Sequence, residues 1–153
     1  MSAPLDTPPF LGSLASNALC SVNMFSEGTY TAYGITKLCE ALKGSAVTSL
    51  NLTGNAIGVE GGSALAAVLK ETMLTNLNLS GNGIRDQGTT ALAAILNKTK
   101  ITDLDLSSNE LCDLDNKGNG TYTTEGITKL CEALEGMVHV RGGSNEPTVQ
   151  QNC

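Results

Sequence analysis

The sequence predicts an α/β solenoid of stacked strand–turn–helix units, with a parallel sheet on the concave side and helices on the convex side. Three observations predict it. The segments "VTSLNLTGNAI" (47–57), "LTNLNLSGNGI" (74–84) and "ITDLDLSSNEL" (101–111) align at a constant spacing of 27 residues. After each turn a second pattern repeats: Gly34, Gly61, Gly88 and Gly126, four residues later Leu38, Leu65, Leu92 and Leu130, and four further on Leu42, Leu69, Leu96 and Leu134. Finally, "GTYTAYGITKLCEAL" (28–42) returns as "GTYTTEGITKLCEAL" (120–134), 92 positions later.

Each unit opens on a strand. Leu50 and Leu52, Leu77 and Leu79, and Leu104 and Leu106 alternate with polar residues, and alternation at period two sends the leucines to one face. The next feature is a turn marked by Asn17, Asn55, Asn82 and Asn109. A carboxamide offers two donors and an acceptor, so it suits a turn whose backbone groups have left the strand ladder. The unit closes on a helix. Aliphatics four apart share a helical face, and "SALAAVLK" and "TALAAILN" are rich in good helix formers.

The turn asparagines explain the echoed phrase. Their spacings are 38, 27 and 27, which together make 92. The first and fourth units are therefore long, with about eleven extra residues between turn and helix. Units begin near positions 11, 47, 74 and 101, with a partial fifth near 138 at "MVHV". Residues 1–10 and 141–153 read as tails flanking one repeat domain, 11–140. No single strand and helix bury their apolar faces alone, so neighbouring units must cover each other, and four units pass the usual minimum of about three. A right-handed crossover is expected throughout.

"LTNLNLSGNGIRDQGTTALAAILNKTK" resembles the leucine-rich repeats of the ribonuclease-inhibitor type, also found in intracellular immune receptors and Ran GTPase-activating proteins. The long units, with "NELCDLDNKGNGTYTTEGITKLCEAL", are similar to those of large repeat families in unicellular eukaryotes. The resemblance spans 11–140 and implies a leucine-rich-repeat horseshoe that binds other proteins. The first unit departs from it, with Gly12 at a strand position where leucine is expected.

Composition excludes several function classes. The chain of 153 residues is 41% hydrophobic but 3% aromatic, without Trp, and its net charge is −6. Nucleic acid and anionic membranes reward clustered Lys and Arg, so neither is expected as a partner. The longest wholly apolar run, 64–69, is far short of a membrane span. The start, "MSAPLDTPPF", shows neither a basic nor an apolar signal region, which points to a cytoplasmic or other reducing intracellular compartment. In that setting the five cysteines read as small buried hydrophobes. The rival reading is a pair of equivalent disulfides, Cys20–Cys39 and Cys112–Cys131, disfavoured by the odd total.

Candidate partner-binding residues follow from the strand alternation: Ser49, Asn51 and Thr53, then Asn76, Asn78 and Ser80, then Asp103, Asp105 and Ser107. Charge along this face runs from neutral to acidic, so a basic or hydroxyl-rich protein partner fits it. Small polar residues on a solvated sheet are the alternative reading. The inserts carry Phe25, Tyr30 and Tyr122, a second and weaker candidate surface. No cofactor is expected. "DNKGNGTYTTEG" (115–126) imitates a calcium loop but puts Lys117 where a carboxylate belongs and Glu125 one place early, so no metal is expected. "GVEGGSA" lacks the lysine of a phosphate loop. Four N-x-S/T acceptors, at Asn51, Asn78, Asn97 and Asn119, read as chance in an Asn-rich chain. The single histidine, His139, lacks a nucleophile pattern. The expected function is a non-enzymatic protein–protein interaction module; a structural subunit of a larger assembly and a GTPase-activating regulator are the alternatives.

Overall fold

The computed structural model describes residues 11–20, 28–114, 117–138 and 148–150. Strands and helices alternate along them: β1 (Leu11–Ser13), α1 (Tyr33–Leu42), β2 (Ser49–Asn51), α2 (Gly58–Leu69), β3 (Asn76–Asn78), α3 (Arg85–Leu96), β4 (Asp103–Asp105), α4 (Glu125–Val138) and β5 (Thr148–Gln150). The five strands form one parallel sheet in chain order. The 27-residue spacing becomes register: Leu50 pairs with Leu77, and Leu77 with Leu104. Gly12 stands opposite Leu50, the place the sequence assigns to a missing strand leucine.

The strands are three residues long, yet the ladder continues past them. Leu52 N donates to Asn78 O at 2.8 Å, and Leu79 N to Asp105 O at 2.9 Å. Beneath the sheet lies a core with very few aromatics. Leu52, Leu79 and Leu106 are fully buried, as are the turn residues Ile57, Ile84 and Leu111 and the helix residues Leu65, Leu92 and Leu130. Each such leucine stabilises the stack by roughly 1.5–3 kcal/mol. Consecutive helices pack on one another, α1 on α2, α2 on α3 and α3 on α4.

The fifth strand expected at 137–140 does not begin at Met137 or Val138, and positions 139 and 140 lie outside the described residues. Met137 and Val138 close α4, and β5 runs Thr148–Gln150, inside the stretch read as a C-terminal tail. A short aliphatic run cannot by itself separate strand from helix. Geometry separates them here: in the second and third units six residues carry the chain from helix end to the next strand. A strand begun directly after "EALEG" would have no length in which to cross back. The usable signal was "TVQ", which repeats the polar–aliphatic–polar form of "SLN", "NLN" and "DLD".

Cys20, Cys39 and Cys112 are buried, as the small-hydrophobe reading expects, while Cys131 is exposed. Cys20, Cys39 and Cys131 are free, so neither Cys20–Cys39 nor Cys112–Cys131 exists. Cys112, however, is disulfide-bonded. Cys20 ends at the start of the first insert, whose return is marked by Thr31 N donating to Cys20 O at 3.0 Å. Cys39 lies within α1 and is buried at 3% exposure.

Candidate interaction surface

The turn asparagines set the geometry of the sheet face. Asn82 Nδ2 donates to Leu79 O at 2.8 Å in its own unit and to Leu52 O at 2.9 Å in the preceding one. Its Oδ1 accepts from Asn55 N at 2.8 Å. Asn55 repeats the arrangement towards Leu14 O and Asn17 N, and Asn109 towards Leu79 O and Asn82 N. Asn55, Asn82 and Asn109 are buried, and each ties two units together with groups that would otherwise be unpaired. The residues on either side of each asparagine adopt the left-handed region, whether or not they are glycine: Gly54 and Ala56, Gly81 and Gly83, Ser108 and Glu110.

With the strands so held, the predicted face residues form three rows. Ser49, Asn51, Thr53, Asn78, Ser80, Asp105 and Ser107 are half-buried, while Asn76 and Asp103 are exposed. The sheet forms a shallow groove of about 280 Å³ across β2, β3 and β4, lined by Ser49, Asn51, Asn76, Asn78, Asp103 and Asp105. Much of its polarity is organised internally. Asn76 Nδ2 donates to Asp103 Oδ2 at 2.8 Å, Thr53 Oγ1 to Asn78 Oδ1 at 2.9 Å, and Ser107 N to Asp105 Oδ1 at 2.9 Å. The face is thus a pre-ordered polar lattice with its carboxylates at the β4 side.

The inserts contribute unequally. Tyr30 is 39% exposed, but its hydroxyl donates to Ile57 O at 2.7 Å, and its ring lies against Gly58. Burial, with Cys20 and Glu60 nearby, pushes its pKa up to about 12. Tyr122 is 65% exposed, and Phe25 lies outside the described residues. Sequence reasoning missed Tyr33, 68% exposed with the Lys37 ammonium 5.8 Å from its ring centre. It also missed a second, open concavity of about 630 Å³ along the asparagine turns, bordered by Tyr30, Gly58, Glu60, Arg85 and Glu110. Arg85 stands 3.0 Å from Glu110 Oε2 and 3.7 Å from Asp113 Oδ1. The Arg85–Glu110 contact is ionic rather than a directed hydrogen bond, and at this exposure it contributes little. A signal was present in the sequence, because arginine occupies a phase that holds Gly58 in the preceding unit.

No group of metal-ligating side chains converges among the described residues, and no described helix is long and apolar enough to cross a membrane. The parallel sheet of successive β–α units defines an α/β repeat protein. Residues 46–66 and 70–93 match the Leucine Rich repeat family model, which supports leucine-rich repeats at the second and third units. No curated protein matches the chain.

Proposed function

We propose that this chain is a protein-interaction module of the horseshoe, ribonuclease-inhibitor-like kind that engages a basic protein partner through the concave sheet face. The observation that carries the reading is the groove over β2–β4, where six polar side chains from three units share one accessible surface. Leucine-rich repeats commonly mediate protein–protein contacts, and solenoids use their concave surfaces for binding. Asp103 and Asp105 give the β4 side negative charge, in keeping with the chain's net −6. Tyr122 supplies an exposed aromatic on the insert, a residue type that anchors interfaces, and serves as an auxiliary contact.

The test is affinity capture from the native source with the unaltered chain, alongside an Asp103→Lys/Asp105→Lys variant and a Tyr122→Ala variant. Loss of the captured protein with the first variant is expected, with a weaker reduction for the second. The same protein captured in equal yield by the charge-reversed face would overturn the reading.

A further inference from the structure

The hydrogen-bonding groups that the sheet-face groove leaves open have an order. Thr53 N donates to Asn51 Oδ1, Ser80 N to Asn78 Oδ1 and Ser107 N to Asp105 Oδ1, each at 2.9 Å. Thr53 Oγ1 also lies 2.7 and 2.9 Å from the two asparagine oxygens. A backbone N–H only donates, so these contacts fix each carboxamide with its oxygen towards the turn and its nitrogen away from it. The Nδ2 groups of Asn51 and Asn78 meet no acceptor among the described residues, and Asp105 keeps a second carboxylate oxygen. The three residues line the groove in one row, since Asn51 pairs with Asn78 and Asn78 with Asp105. The row reads donor, donor, anion.

The spacing of that row selects a shape. Neighbouring strands stand about 4.8 Å apart, so a ligand crossing them meets the three groups at roughly 0, 4.8 and 9.6 Å. An extended segment returns side chains to one face only every ~6.8 Å and is out of step by the second contact. A helix rises about 1.5 Å per residue, which puts residues i, i+3 and i+7 at roughly 0, 4.5 and 10.5 Å on one face. We propose that the groove seats one helix of a partner protein lying across the strands, with uncharged acceptor side chains over Asn51 and Asn78 and a lysine or arginine over Asp105. Charge favours this occupant, because Asp103 stands at the same end of the groove and β2 and β3 bring no ionised group to it. The basic end of the helix therefore lies above β4. β1 and β5 flank these three strands, so a strand added at either edge of the sheet leaves the groove open. The inference rests on the sheet-face reading above and adds the partner's shape and direction.

The probe is an alanine-based helical peptide of about 20 residues, with glutamine at i and i+3 and arginine at i+7. It is titrated onto the isotope-labelled intact chain and followed by NMR. The side-chain amide signals of Asn51 and Asn78 should shift together, with a Kd on the order of 1 mM for so few contacts. A peptide with the same residues at i, i+2 and i+5, spread around the helix, should bind about tenfold more weakly, as should the first peptide on an Asp105→Asn chain. The deciding variant is Asn51→Asp/Asn78→Asp. It keeps the turn contacts, as Asp105 keeps Ser107 N in the same place, but replaces both outward donors with carboxylate oxygens. It should bind the peptide about tenfold more weakly, whereas a face that only attracts positive charge should bind it more tightly. Tighter binding by that variant, equal binding of the respaced peptide, or no shift of the two amides up to about 10 mM peptide would overturn the proposal. Those results leave the sheet-face reading standing as long as Asp103→Lys/Asp105→Lys abolishes capture; capture unchanged by that variant overturns both.

Discussion

Helices α1 and α4 share the octapeptide "ITKLCEAL", and their comparison separates local from non-local causes. What depends on nearby residues is copied. Thr31 N donates to Cys20 O at 3.0 Å and Thr123 N to Cys112 O at 3.1 Å. The Lys37–Glu40 contact of 2.8 Å reappears as Lys129–Glu132 at 3.0 Å. What depends on neighbouring units is not copied. Leu38 is half-buried where Leu130 is fully buried, whereas Cys39 is buried where Cys131 is exposed. Each helix has one covered flank, and the two flanks are opposite: α1 has α2 after it, and α4 has α3 before it. Burial belongs to the position in the stack rather than to the residue.

The α3 side adds a contact that α1 has no means to copy. Asp86, buried at 7% exposure, accepts Gly126 N at 2.7 Å, satisfying an otherwise unpaired amide at the start of α4. Gly126 has no room for a side chain there, since an added Cβ would lie 2.6 Å from Asp86 O.

The sharpest way to break the comparison is to place a charge on the two matched cysteines. Cys39→Lys should destabilise the chain by about 3–5 kcal/mol, the cost of an uncompensated buried charge. Cys131→Lys should stay within about 0.5 kcal/mol of the parent; equal losses in urea unfolding would show that the two flanks are not different. Truncation gives a smaller contrast. Ile35→Ala should cost about 2–4 kcal/mol, and Ile127→Ala about half as much, because its surroundings are already partly open to water. Similar midpoint shifts for both would contradict the assignment of α2 as the cover.

The turn asparagines extend the test to the sheet. Asn82→Ala should lose about 1–3 kcal/mol, because buried carbonyls and an amide lose their partner. Asn17→Ala, at the exposed end of the ladder, should lose less than about 0.5 kcal/mol. A thermal melt of the Asn82 variant superposing on that of the parent would remove the ladder from the account.

Cys39 also ties the comparison to pH. Burial pushes its thiol up from 9.0 to about 11, so the folded state holds the proton longer than the unfolded chain does. Its contribution is complete below pH 9 and is lost as pH rises towards about 11. Denaturation midpoints for the parent should fall faster over that window than those of Cys39→Ala; parallel slopes would oppose it. The smallest effect is expected at the turns. Ala56 holds φ 51°, and Ala56→Gly should relieve about 1 kcal/mol of left-handed strain, giving the second unit the glycine that the third has at Gly83. A destabilised variant in the same melts would contradict this.

Much of the stack was legible in the sequence, and so was the composition of its sheet face. Leu50, Leu77 and Leu104 announce their pairing because each repeat encounters the same constraint at the same interval. Alternation then assigns Asn51, Asn78 and Asp105 to the opposite face without further information. Asp86 carried no such mark, since its phase holds Val59 in the preceding unit. Its partner amide is 40 residues away, and only the packing of α4 on α3 brings the two together.

The sequence by itself determined the unit length, the inward-facing residues, the asparagine turns and the equivalence of the two long units, because periodicity is a short-range property written several times over. Only the tertiary structure decided which flank of each identical helix is covered and that the fifth strand starts at Thr148. It also decided that Cys112 is bonded while Cys20, its counterpart, is free. Those outcomes depend on what stands next to a residue in space, and two copies of one phrase at different places in a stack have different neighbours.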